Sequence, residues 1–158
     1  MAPDPILLLQ REHEMILDHL RMIETTIMPR PARSRAVGEP DLGTLRELFH
    51  FFTERVGVHF KREAVLVTAL NGALGRRQKD RDRFKNLLCE HRTLKVDAAG
   101  IAKTLGRTTG NPDPLRIQSF IARFRAHLSC EERILFVLAG RRLTAEQRLK
   151  VSRRMLQA

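Results

Sequence analysis

The chain has no tryptophan and no tyrosine, only two cysteines, and no apolar run near the roughly 20 residues that would cross a bilayer. Each shortage excludes something. Cys89 and Cys130 form no CxxC spacing and have no partner cluster, which argues against a disulfide or zinc framework and fits a reducing compartment. The apolar run from Ile6 to Leu9 is short and follows Asp4, so no secretory leader and no membrane association are expected, and the expected location is cytoplasmic. No glycine-rich nucleotide loop, nucleophile triad or isolated general base is present.

Acidic residues are also scarce relative to basic ones, 18 against 29, which leaves a net charge of +11. Basic residues cluster at Arg76, Arg77, Lys79, Arg81, Arg83 and Lys85, and again at Arg141, Arg142, Arg148, Lys150, Arg153 and Arg154. Charge alone fixes no specific contact, and Phe84, which belongs to an apolar stripe, is the one aromatic residue within these clusters. Nucleic acid is therefore not an expected partner, while an acidic partner remains compatible with the basic surface. With 158 residues, 42% hydrophobic and 30% charged, the chain is expected to be a single globular domain over 1–158, with a core at about 5–140 and a terminal helix at about 144–157.

Apolar residues recur in steps of three and four along four long stretches, the pattern of helices with one buried face. Asp4 before Pro5 predicts a helix start, and the stripe Ile6, Leu9, His13, Ile16, Leu20, Ile23, Ile27 carries that helix to about Thr26. The segment from Met28 to Gly43 holds Pro29, Pro31, Gly38, Pro40 and Gly43 and predicts a surface connection. Asp41 is the expected cap of a second helix that ends at Asn71, with Gly72 as its left-handed stop. Gly57 inside it marks a kink or a close helix contact. A third helix is expected from Lys79 or Asp80 to Leu105, and a fourth from Pro114 to Ala139 with Gly140 as its stop. Thr144 and Gln147 form a capping box for a short last helix. The expected fold is all-α, an antiparallel up-down four-helix bundle with a short extra C-terminal helix.

Ionisable residues interrupt these apolar stripes. The second helix reads Leu45, Leu48, Phe52, Val56, His59, Glu63, Leu66, Leu70 along its core face, and the fourth Ile117, Phe120, Phe124, His127, Glu131, Ile134, Leu138. A step of four residues turns roughly 400°, so in each case imidazole and carboxylate stand one above the other on the inward face. The third helix reads Phe84, Leu87, His91, Leu94, Ala98, Ile101, Leu105, again with one histidine in the seam, as His13 is in the first. At about 1.5 Å per residue, His91 lies roughly 21 Å from its helix end and His127 roughly 20 Å from its helix start, so antiparallel packing brings them to one level.

Unpaired ionisable groups at core positions would each cost several kcal/mol, and a shared metal is the simplest remedy. The chain is also an internal repeat: Glu12-His13 is answered by Glu90-His91, and His59-x-x-x-Glu63 by His127-x-x-x-Glu131. Three ligands per half suit two metals with two carboxylates between them, whereas a single zinc would leave ligands over. The candidate metal ligands are His13, His59, Glu63, His91, His127 and Glu131, and mixed imidazole and carboxylate donors suit iron, manganese or zinc.

His19 and His50 lie off the seam and are expected to face solvent. Glu12, Glu14, Glu90 and Glu132 point to neighbouring faces, either as surface carboxylates or as acceptors for a ligand N–H. Cys130 follows His127 by three residues, where packing explains it as well as chemistry does. Phe52, Phe60, Phe120, Phe124 and Phe136 are core candidates that would keep water from a metal beside them.

This combination resembles the hemerythrin-like, or HHE cation-binding, domains, whose pattern is Glu-His on one helix, His-x-x-x-Glu on the next, and then both again. The match spans roughly residues 6 to 140 through Glu12-His13, His59 and Glu63, Glu90-His91, and His127 with Glu131-Glu132. The resemblance implies a non-haem di-iron centre in which each iron is bound by two histidines and shares two bridging glutamates and an oxo or hydroxo bridge, with manganese or zinc as other occupants. Oxygen-carrying members have a further histidine one turn after the third-helix ligand, where this chain has Lys95. Lys95 is expected to carry its ammonium away from the metals. The ligand set is more similar to that of di-iron proteins associated with repair of iron centres under nitrosative stress. It implies reaction of the metals with O2, peroxide or NO, as a di-iron oxidoreductase or a stress-related redox protein. The alternatives are a metal- or redox-sensing module with a binding partner, oxygen carriage, or iron storage.

Overall fold

Asp4 starts the first helix in the way its position before Pro5 requires. Its carboxylate accepts from the backbone N–H of Ile6 at 2.9 Å and Leu7 at 3.2 Å, and α1 runs over Pro5–Ile27. The structure, a computed structural model, describes residues 2–28, 42–75, 78–107 and 112–158. The expected cap Asp41 and most of the proline-rich connection before it lie outside the described residues.

The expected second helix is two helices, α2 over Leu42–Glu54 and α3 over Val56–Leu74. At the junction the Arg55 N–H still reaches Phe51 O at 2.9 Å, but the Val58 N–H donates to Arg55 O at 3.1 Å, a tighter three-residue step. Gly57 sits just past this break, and among the described residues no atom beyond its chain neighbours and its own helix backbone lies within 4 Å of where its Cβ would stand, so it marks a break and not a close helix contact. The helix also outruns Gly72 and stops at Gly75, which has φ 64° and supplies the left-handed residue expected of Gly72. All eight core positions read for this stretch are buried.

Helix α4 covers Gln78–Leu105, and α5 covers Pro114–Glu131 behind the cap Asp113. Beyond Glu131 the chain does not continue as an α-helix. It makes a π-helical turn over Glu132–Phe136 and then α6 over Val137–Arg142, with Gly140 inside α6 and Leu143, in extended geometry, ending it. The wider turn shifts the helical phase by one residue, so the core positions expected at Ile134 and Leu138 are taken by Leu135 and Ala139. The last helix, α7, covers Ala145–Met155 with the Thr144 and Gln147 capping box in place.

Helices α1, α2–α3, α4 and α5–α6 pack as a four-helix bundle, and α7 lies against α3 and α1. Its Ser152 hydroxyl donates to Pro3 O at 2.5 Å, and Arg148 pairs with Asp4 at 3.4 Å, which closes the C-terminal helix on the start of the chain. The apolar core is split. One cluster holds Ile16, Phe49, Phe52, Leu94, Phe120 and Phe124, and the other holds Leu9, Leu66, Leu87, Leu135 and Phe136. On every bundle helix the residues between these clusters are the expected polar ones. None of the helices among the described residues is long and apolar enough to cross a membrane.

Candidate metal centre

His13 from α1, His59 and Glu63 from α3, His91 from α4, and His127 and Glu131 from α5 converge in the layer between the two apolar clusters, and all six are buried. Glu63 and Glu131 are the shared members. Glu63 Oε1 lies 3.2 Å from His13 Nε2 and 3.0 Å from His59 Nε2, and its Oε2 lies 3.0 Å from His91 Nε2. Glu131 Oε1 lies 3.1 Å from His91 Nε2 and 2.8 Å from His127 Nε2, and its Oε2 lies 3.4 Å from His13 Nε2. The donor atoms fall into two groups of four, each within 4.8 Å: His13, His59, Glu63 and Glu131, and Glu63, His91, His127 and Glu131.

Whether these residues fit a metal can be tested on how well they satisfy one another. They do so poorly. His59 Nε2, His127 Nε2, Glu63 Oε2 and Glu131 Oε2 are buried and make no hydrogen bond among the described residues. The two ring nitrogens stand close to carboxylate oxygens but are wrongly aimed, so the failure is one of direction and not of distance. A buried polar atom without a partner costs about 1–3 kcal/mol, and a cation held by each group would satisfy all four atoms together. The donor set fits.

The outward ring nitrogens are held separately. His13 Nδ1 lies 3.0 Å from Glu132, His59 Nδ1 lies 2.9 Å from Glu12, and His127 Nδ1 lies 2.7 Å from Glu90. An Nδ1–H donated to a carboxylate fixes the tautomer that leaves Nε2 free to ligate. Glu12, Glu90 and Glu132 therefore act as acceptors, whereas Glu14 is exposed. The glutamate of each Glu-His pair serves a histidine on another helix, Glu12 of α1 that on α3 and Glu90 of α4 that on α5, and not its own neighbour. Glu12 is fastened in turn by Arg62, whose guanidinium pairs with it and whose Nε–H donates to Met155 O at 3.2 Å, linking the layer to α7. Arg62 escaped the sequence reading, because a lone arginine beside a core glutamate looks like a surface residue. Arg62→Leu is expected to lower stability by about 1–3 kcal/mol through loss of these bonds, checked by urea unfolding of the metal-free protein.

Aromatic rings close the layer. Phe60 lies flat on His91, with centroids 4.1 Å apart and planes at 9°, Phe124 meets His127 edge-on at 6.3 Å, and Phe136 lies 5.0 Å from His13. His50 is exposed as expected. His19 is half-buried, because its ring stacks on Phe51 at 3.6 Å and its Nδ1–H donates to Met15 O at 2.8 Å, and it takes no part in the cluster. Lys95 is exposed, as expected of a lysine that keeps its ammonium in water. Cys89 is exposed and Cys130 half-buried, and both are free thiols.

Without a metal, protons take the place of cations. Burial draws the His13 imidazole down, but the proximity and charges of Glu131 and Glu63 outweigh it and push its pKa up to about 10, and the same balance pushes His91 up to about 9. Burial raises Glu63, yet the charge of His59 and the close approach of the His13, His59 and His91 ring nitrogens hold it well below the ordinary carboxylate range. The layer is thus built to concentrate positive charge on two carboxylates.

The family model described as the hemerythrin HHE cation-binding domain matches residues 4–139 of the chain. No curated protein and no solved structure matches it.

Proposed function

The chain belongs to the hemerythrin HHE cation-binding family, and on that premise we propose that it is a di-iron protein that reacts with O2, peroxide or NO in a redox or stress-related role. The observation carrying this reading is the sharing of Glu63 and Glu131 by both donor groups. Two carboxylates between two histidine pairs suit two cations, and the mixed nitrogen and oxygen donors suit iron, with manganese or zinc as other occupants. His13 and His59 would hold one ion, His91 and His127 the other, and the two glutamates would bridge them. Two ferrous ions held there would supply the two electrons that reduction of a small oxidant requires.

The chain's own residues prepare that reaction. Glu12, Glu90 and Glu132 keep protons on the outward nitrogens, so that loading the site displaces protons only from the inward ones. Phe60, Phe124 and Phe136 exclude bulk water from the rings they touch. Lys95, where a carrier would have a histidine, contributes no ligand from its exposed position. The anaerobically reduced, iron-loaded protein should therefore be oxidised by O2 without a stable, reversible oxygen-dependent absorption spectrum. Such a spectrum, bleached on removing O2 and restored on its return, would replace the redox reading with oxygen carriage.

A second reading is favoured by the chain of contacts from His59 through Glu12 and Arg62 to Met155. Helix α7 exposes Lys150, Arg153 and Arg154, so a change at the metal layer has a path to a basic surface. Under this sensing reading, the protein associates with an acidic partner in a salt-sensitive manner that differs between metal-free and loaded forms. Equal binding by both forms would count against it.

A further inference from the structure

The two halves of the layer repeat in their inward donors but not in what stands behind them. Both His13 and His59 have a carboxylate on Nδ1, Glu132 at 3.0 Å and Glu12 at 2.9 Å, and Glu12 is locked by Arg62. On the other side only His127 has one, Glu90 at 2.7 Å. Apart from the shared Glu63 and Glu131, no carboxylate among the described residues comes within ion-pair distance of His91.

The sequence explains the difference. Glu132 follows Glu131 and serves His13, but the residue that follows Glu63 is Ala64, which has no carboxylate to offer His91. Arg62 stands three residues after His59, and its counterpart three residues after His127 is Cys130, which cannot fasten Glu90. Glu90 is accordingly 54% exposed where Glu12 is 13% exposed. The π-helical turn begins at Glu132, whereas α3 runs on without such a turn after Glu63. A cavity of about 270 Å³ lined by Glu90, Thr93, Arg123, His127 and Cys130 adjoins the less supported side. The smaller cavity beside His59, about 180 Å³, is lined by the paired Glu12 and Arg62.

Carboxylate partners of ligand histidines hold the ring in its binding orientation and strengthen its donor nitrogen, and loss of one costs about 10- to 100-fold in metal affinity. We propose that the two metal positions are unequal, the His13 and His59 position filling first and holding its ion tightly, the His91 and His127 position being weaker and exchangeable, with Glu132, Glu12 and Glu90 as the positioning residues that set the difference. This rests on the dimetal reading above and assigns an order to its two positions.

The test loads the full-length metal-free protein with zinc alone. At one equivalent, anomalous diffraction at the zinc edge should show the His13 and His59 position occupied over the other by about tenfold or more. Titration against a chromophoric chelator should resolve two binding steps. Glu132→Ala should narrow their separation and Glu90→Ala should widen it, opposite shifts that a general loss of stability would not produce. Equal occupancy at one equivalent, the reverse order, or shifts of the same sign in both variants would overturn the inequality while leaving two sites. Saturation at fewer than two zinc ions would overturn the dimetal reading and this inference together.

Discussion

Glu63→Ala is expected to abolish stable metal binding at both positions and to destabilise the metal-free protein by about 3–5 kcal/mol. The reason is the number of groups that depend on one side chain. Glu63 is fully buried and within 3.2 Å of the inward nitrogens of His13, His59 and His91. Its removal leaves the inward nitrogens of His13 and His91 facing only Glu131, and that of His59 with no carboxylate among the described residues at ion-pair distance, in a layer closed by Phe60, Phe124 and Phe136. Metal content after gentle purification reads the first effect and urea unfolding the second. Retention of both ions at wild-type affinity would show that the bridging role is misassigned.

Metal removal should reverse how stability depends on pH. In the metal-free protein the His13 and His91 pKa values stand at about 10 and about 9, above the unfolded value of about 6.5. Their contribution is fully present below pH ~6.5 and is lost progressively as pH rises through those values, on the order of 6 kcal/mol for the two together between pH 7 and 10. Glu63 and Glu131 are both depressed, so their contribution is present above the unfolded carboxylate value and is lost as pH falls through the folded one. The loaded protein should behave oppositely near neutrality, because ligating nitrogens must be unprotonated and cation affinity therefore climbs with pH. Unfolding midpoints between pH 6 and 10, with and without chelator, should diverge as pH rises. Parallel curves would mean that no cation depends on these imidazoles.

The inward face shared by α2 and α3 is readable from Leu45 to Leu70, because the break at Arg55 leaves the three-and-four spacing in phase, and every one of those positions is buried. The π-helical turn after Glu131 does change the phase, and nothing in the residues Glu132 to Phe136 announces it, so Ile134 and Leu138 were expected where Leu135 and Ala139 pack. Gly72 and Gly140 were read as stops, but a glycine permits a left-handed residue without requiring one, and the positive φ falls at Gly75. The six inward residues were visible because an ionisable group in an apolar stripe stands out. Their supports were less so. Glu12, Glu90 and Glu132 have the spacing of surface residues, and only the packing of neighbouring helices directs them to a histidine on another element. Arg62 was invisible for the same reason, since its partners Glu12 and Met155 are far away in sequence.

The central claim is that one layer of this bundle holds two metal ions through His13, His59, Glu63, His91, His127 and Glu131. Elemental analysis of the protein expressed with ample iron and purified without chelators tests it most directly. The account predicts close to two irons per chain, falling toward zero in both Glu63→Ala and Glu131→Ala. A chain that carries no metal under those conditions, or one whose iron content is unchanged by both substitutions, would contradict it.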